Sequence, residues 1–264
     1  MPDRISVVTV CRNPGPDVLE RTIRSVLSQR YDNLEYIIID GGSTDGSVDV
    51  IRHYAPRLAH WVSEPDGGIF PAMTKGIEAA TGRYVNFMNA GDLFFNDYVL
   101  ADVFGSQDYS EDVVYGRNLI RYPGGYKASP VGDPSSLLGG IMPFCHQNAF
   151  TSPQVLREFP FDPSFRIIAD LDQYRRMYLA GVRFRKVDKY ISIYDSRGVS
   201  SGASLELYAE HCRLTGERPT LRSYLSRYAT HLFAPVRYGS LRFHIMSRRK
   251  PQKYALTPGS IRQL

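Results

Sequence analysis

The chain has 264 residues, 43% of them apolar and 22% charged, which is enough to bury a core of ordinary size in one large domain and excludes a disordered tail. Its formal charge of +5 is uneven: from Leu205 onward 11 Lys or Arg stand against 3 Asp or Glu, a net of +8, which leaves −3 for the first 204 residues. No apolar run approaches the length needed to cross a hydrocarbon core of about 30 Å, and the three widely spaced cysteines, Cys11, Cys145 and Cys212, fit neither a disulfide framework nor a zinc site and read as buried thiols. Asp3 and Arg4 precede a short apolar run that stops at Arg12, which argues against a cleaved secretory signal and for a cytoplasmic location.

In chain order, the β-branched run from Ile5 to Val10 reads as a strand, bounded by Asn13, Pro14, Gly15 and Pro16. Leu19, Ile23, Val26 and Leu27 then recur at helical spacing. Tyr36 to Ile39 is a second buried strand that ends at Asp40, and the loop GGSTDGS leads into a helix-like VDVIRHY. Gly41, Gly42 and Gly46 are turn residues in this loop, with Ser43, Thr44 and Asp45 as turn and helix-capping groups. Trp61 and Val62 mark a short third strand, Ala72 to Ala80 a helix that stops at Gly82, and Tyr84 to Met88 a fourth strand that runs into Asn89, Ala90, Gly91 and Asp92.

Alternating strands and helices predict an α/β domain with a mostly parallel sheet and a site at the carboxyl ends of its strands, where Asp40 and Asp92 both stand. The stretch from Tyr122 to Gly140 is rich in Gly and Pro and reads as a loop or flap. A helix opened by Asp170 follows, with Leu171, Tyr174, Met177 and Tyr178 as its apolar stripe and Gly181 as its stop.

The segments TVCRN, IIIDGGSTDGS, EPDGGI, FMNAGD, CHQ and IADLDQYRR occur in the order found in family 2 glycosyltransferases of the GT-A fold, and the chain resembles the bacterial branch that builds surface polysaccharides. The resemblance implies a Rossmann-like nucleotide-binding domain with a mostly parallel central sheet flanked by helices over residues 1–204, followed by a basic helical extension over residues 205–264. It further implies an inverting, metal-dependent transfer of a sugar from a nucleotide diphosphate donor, with UDP-sugars favoured, to a hydroxyl of a glycan or lipid-linked glycan.

By the same resemblance, Val10 and Arg12 line the nucleotide pocket and Asp40 binds the base. A carboxylate there suits the N–H of uracil or thymine and equally the donor edge of guanine. Asp66, Gly67, Gly68, Lys75 and Asn89 lie on the donor side, and Arg197 closes over the diphosphate. Asp92 is the metal contact, for Mn2+ or Mg2+, and one carboxylate suffices because diphosphate oxygens and water complete an octahedral shell. His146 and Gln147 lie on the acceptor side. Asp170 is the base that takes the acceptor proton. Asp172 is its rival, about 200° further around the helix and therefore unable to face the same substrate.

Five positions depart from the family pattern: Arg12 stands where an aromatic residue is frequent, Asn89 and Gly91 replace acids, and Pro71 and Thr74 replace an aspartate and an asparagine. The last four keep a second function class open, a catalytically silent binding subunit, and a nucleotidyltransferase is the rival enzyme. In the tail, Leu221, Leu225, Tyr228 and Leu232 follow helical spacing beside Arg222, Arg227 and the cluster RFHIMSRRKPQK. That pattern fits either an anionic membrane surface, which would place the enzyme peripherally at the inner face of the cell membrane, or packing on the catalytic domain. No nucleic-acid-binding motif is present, so nucleic acid is not an expected partner.

Overall fold

The computed structural model describes residues 2–122, 125–195, 205–218 and 220. The first strand, β1 (Ile5–Cys11), is followed by α1 (Pro16–Leu27), β2 (Leu34–Asp40), α2 (Ser47–Tyr54), β3 (His60–Ser63), α3 (Ile69–Ala79) and β4 (Tyr84–Phe87). Here β1 pairs in parallel with both β2 and β4, and β2 with β3. Every residue of β1 is buried, with Ile5 and Val7 in the core on one face and Val8 and Val10 in the core on the other. That double burial is why the strand reads as a mainly apolar run, with Ser6 and Thr9 its polar members, rather than an alternating one. The third helix begins at Ile69, earlier than its apolar spacing indicates, directly after Gly68.

The second half is mixed. It comprises β5 (Leu93–Phe94), α4 (Val99–Phe104), β6 (Val113–Tyr122), β7 (Gly125–Ala128), β8 (Ala149–Thr151), α5 (Pro153–Glu158), α6 (Ala169–Leu179), β9 (Phe184–Asp195) and α7 (Leu205–Thr215). Among the described residues the strands form one nine-stranded sheet in the order β3-β2-β1-β4-β8-β6-β9-β5, with β7 paired to β6. The parallel character expected of the sheet holds for β1 to β4 and for β6 with β9, while β8, β5 and β7 are antiparallel to their neighbours. The Gly- and Pro-rich stretch is not a plain loop: it carries β7 and a 3-10 segment, Pro134–Gly139.

Two apolar layers sandwich the sheet. Leu19, Ile23 and Val26 of α1, Ile51 of α2, and Val99, Leu100, Val103 and Phe104 of α4 fill one side. Met73 and Ile77 of α3, Val155 and Leu156 of α5, Leu171, Tyr174 and Met177 of α6, and Leu214 of α7 fill the other. The helix α7, which starts at the expected domain boundary, therefore packs on the sheet domain; residues 221 to 264, with the cationic cluster, lie outside the described residues. Among the described residues no helix is long and apolar enough to cross a membrane.

Gly76 lets α3 lie close to the central strand, because a Cβ at this position would stand 2.3 Å from Val8 Cγ1. Val8 is fully buried and cannot step aside. Overpacking costs about 1–3 kcal/mol, against the roughly 1 kcal/mol that Ala gains over Gly inside a helix. Gly76→Ala is therefore expected to lower the urea midpoint, and a raised midpoint would contradict this packing.

Candidate active site

Strand register builds the first half of the site. Pairing sets Cys11 opposite Asp40 and Asp40 opposite Ser63, so three side chains form a row across the carboxyl ends of β1, β2 and β3. Asp40 is 1% exposed. Its Oδ2 accepts from Ser43 N at 2.8 Å and Ser63 Oγ at 2.7 Å, and its Oδ1 accepts from Ser43 Oγ and from Cys11 Sγ at 3.3 Å. Burial alone would raise its pKa, but these donors outweigh it and hold the carboxyl below the usual aspartate range. A carboxylate offers about four lone-pair sites, and the four donors use them, so a base edge reaches Asp40 only by displacing one.

The loops after β1 and β2 are stitched together. Asn13 N donates to Ser43 Oγ, Thr44 N to Asn13 Oδ1, and Gly15 N to Asp45 Oδ2, while Asp45 Oδ1 receives Ser47 N at the start of α2. Arg12 projects from this clamp and is exposed, whereas Val10 is buried in the core beneath it. Asp66 packs against Gly41, where a Cβ would come within 2.6 Å of Asp66 Oδ2. Its Oδ1 receives Gly68 N at 3.0 Å across Gly67. Lys75 forms a 2.6 Å ion pair with Glu64, a partly exposed contact of at most about 1 kcal/mol that a phosphate could replace. Arg197 lies outside the described residues.

The second half of the site is the turn Asn89 to Asp92, where Asp92 N donates to Asn89 O. Thr22 of α1 clamps it, receiving Gly91 N and donating to Asp92 O, each at 2.9 Å. Facing it is the 3-10 turn His146–Asn148. Gln147 Nε2 donates to Asp92 Oδ2 at 2.9 Å. His146 lies 3.3 Å from Asp170 Oδ2 through Nδ1 and 3.0 Å from Asn89 Nδ2 through Nε2. Because a carboxylate can only accept, Nδ1 carries the proton and Nε2 receives the amide of Asn89. His146 is thus placed between the two loops, touching Asn89 as well as Asp170.

Asp170 stands in the first turn of α6 with its side chain 22% exposed, and its Oδ1 accepts from Leu171 N. Asp172 points elsewhere: it is 7% exposed and takes Arg176 Nε at 2.8 Å, a pair one helical turn apart. Cys11 and Cys212 are buried and Cys145 is partly so. Burial, then the Asp170 charge, pushes the Cys145 thiol up to about 12, so it is no nucleophile at neutral pH.

Several supporting residues lie outside the motifs. Asn86 donates to the carbonyls of Gln147 and Ala149, and Asn148 donates to Gly116 O while receiving Cys145 N. An asparagine inside the apolar run of β4 was the one sequence signal for them. Among the described residues no cluster of three or more His, Cys, Asp or Glu could hold a metal. The turn does offer oxygen donors suited to a hard cation, since Asn89 Oδ1 is buried without a partner among the described residues in the same turn as the Asp92 carboxylate. His146 is held on both nitrogens and is not available as a ligand.

Because the folded-state pKa of Asp40 is depressed, its stabilising effect is complete above about 3.9, the unfolded value, and is lost as pH falls through the folded value. Asp40→Asn turns an amide donor toward hydrogen-bond donors and is expected to cost about 1–3 kcal/mol at pH 7, with a smaller difference from wild type in acid. Equal urea midpoints at pH 7 would contradict the pinning role.

The model for Glycosyl transferase family 2 matches residues 6–168, more than half of the chain. An uncharacterized glycosyltransferase of Mycobacterium tuberculosis is 43% identical over 98 residues, 37% of this chain and 37% of that protein. A PGL/p-HBAD biosynthesis glycosyltransferase of Mycobacterium bovis is 29% identical over 161 residues, 59% of this chain and 62% of that protein. The chain thus spans less than two thirds of the length of these curated relatives. Among solved structures, S. aureus TarS 1–349 in complex with UDP-GlcNAc superposes with a TM-score of 0.65 at 17% identity, covering 94% of this chain and 76% of that one. The mannosyltransferase PcManGT from Pyrobaculum calidifontis, in complex with GDP-Man and Mn2+, superposes with a TM-score of 0.60 at 20% identity, covering 94% and 79%. The mixed, curled sheet with helices on both faces is that of GT-A glycosyltransferases, and the chain belongs to glycosyl transferase family 2.

Proposed function

We propose that this chain is an inverting glycosyltransferase that moves a sugar from a nucleotide diphosphate donor, a UDP-sugar in first place, to a hydroxyl of a glycan or lipid-linked glycan in polysaccharide biosynthesis. One observation carries the reading. His146 and Gln147, adjacent on a single turn, hydrogen bond Asp170 and Asp92, so one rigid segment bridges a candidate base and the turn that would face the diphosphate.

In this reading the acceptor hydroxyl attacks the anomeric carbon while Asp170 takes its proton. The bond from that carbon to the diphosphate oxygen breaks, and the nucleoside diphosphate departs with the electron pair. Attack opposite the leaving group inverts the centre. His146 donates to Asp170 through Nδ1, which orients the carboxylate toward the arriving hydroxyl. The pinned loops carrying Asp40, Asp66, Gly67 and Gly68 bind the nucleoside and sugar, with Arg12, Lys75 and Arg197 supplying positive charge. A Mn2+ or Mg2+ ion bound at Asp92 would supply Lewis-acid stabilisation of the charge that develops on the leaving diphosphate. The UDP-GlcNAc and GDP-Man named for the two structural neighbours support a nucleotide-sugar donor. The net charge of +8 from Leu205 onward supports a lipid-linked acceptor met at the anionic inner face of a membrane.

The test is release of nucleoside diphosphate from a panel of nucleotide sugars in the presence of glycan acceptors. Asp170→Asn is expected to lower kcat by about 10² to 10⁴-fold with donor KM little changed. Donor binding without any release would favour a silent binding subunit, and pyrophosphate release from a nucleoside triphosphate would favour a nucleotidyltransferase.

A further inference from the structure

The helix α6 has no side-chain cap of its own. The backbone just before it is held from outside, by a residue far along the chain. Glu210 of α7 is 4% exposed, and its carboxylate accepts from Arg166 N at 2.7 Å, Ile167 N at 3.0 Å and Ile168 N at 3.1 Å. Ile168 is the N-cap of α6, and Asp170 follows two residues later. The rest of α7 is arranged to hold this carboxylate in place. Tyr208, Cys212 and Leu214 are buried, Arg213 lies 4.7 Å above the Phe165 ring and donates to Ser164 O, and His211 Nε2 is 2.9 Å from Gly140 O.

We propose that Glu210 is a positioning residue for Asp170, so that α7 belongs to the catalytic unit although it lies beyond the residues matched by the family model. The inference rests on the reading of Asp170 as the base. Three consecutive amides bound to one anion leave the entry to α6 a single backbone path. The contact of Asp170 with His146 is already long, at 3.3 Å, so a shift of this entry moves the carboxylate out of line with the acceptor. Misplacement of a reacting group by about 1 Å can cost on the order of 10² in rate. The same carboxylate places negative charge at the positive end of the α6 dipole.

The experiment compares Glu210→Ala, Glu210→Gln and Asp170→Asn in the full chain, below the onset of unfolding, with rates scaled to the folded fraction. Hydrogen exchange at the amides of residues 166, 167 and 168 is followed alongside. Glu210→Ala is expected to lower kcat by about 10 to 100-fold with donor KM within about twofold, and to speed exchange at those amides. Glu210→Gln keeps the side-chain length and one acceptor oxygen. It is expected to fold if Ala does not, and to show an intermediate kcat. Wild-type kcat in both Glu210 variants with Asp170→Asn inactive would overturn the positioning role and leave the base in place. Wild-type kcat in Asp170→Asn would overturn the base and, with it, this inference.

Discussion

The turn from Cys145 to Asn148 is the constraint on which the site depends. It is short, it begins with an extended residue, and it sends two consecutive side chains to two carboxylates on different elements. Such a turn could not act as a spacer if its own backbone were loose. Two buried asparagines tighten it: Asn86 reaches up from β4 to the carbonyls of Gln147 and Ala149, and Asn148 folds back onto Cys145 N while tying down to Gly116. Buried amides bonded in this way are costly to misplace, so they define one geometry, although Asn86 Oδ1 has no partner among the described residues. The sheet supplies both anchors, since Asn86 lies on β4 and Gly116 on β6, the strands on either side of β8.

The half of the site around Asp40 and Asp92 is organised on a different principle. Its loops are held by hydrogen bonds to carboxylates rather than by packing: Asp40 gathers Ser43, Ser63 and Cys11, and Asp45 joins the loop after β1 to α2. Thr22 does the same for the turn that carries Asp92. Polar clamps of this kind fix backbone N–H groups in advance of a ligand, which lowers the cost of ordering the site when one binds. The two halves meet at Asn89, which belongs to the turn of Asp92 and donates to His146.

The parts legible in the sequence are those governed by local pattern. The strands β1, β2 and β4 are buried on both faces and appear as mainly apolar runs, and α1, α3 and α6 keep their stripes. The second half of the sheet was hidden for physical reasons. In β9 the run FRKVDKY carries charges outward along a partly exposed strand, β6 is interrupted by Gly116 and an irregular register with β9, and β8 has only three residues. Asp40 and Asp92 could be placed at strand ends because a strand end is a local feature. The filling of Asp40 by donors from Cys11 and Ser63 could not, because it depends on register across three strands. Glu210 was equally hidden: its partners are more than 40 residues earlier, and in the sequence it is one acid in a basic tail.

In the proposed function the strand ends around Asp40 and Asp92 form a nucleotide diphosphate site completed by a divalent ion. This is tested most directly by calorimetric titration of the purified full chain with UDP, GDP and dTDP, each with and without Mn2+, beside Asp92→Ala. Binding of one nucleotide is expected to strengthen at least about tenfold with Mn2+ in wild type and to lose that gain in the variant. Metal-independent binding of equal strength in both proteins, or no binding of any of the three nucleotides, would contradict it.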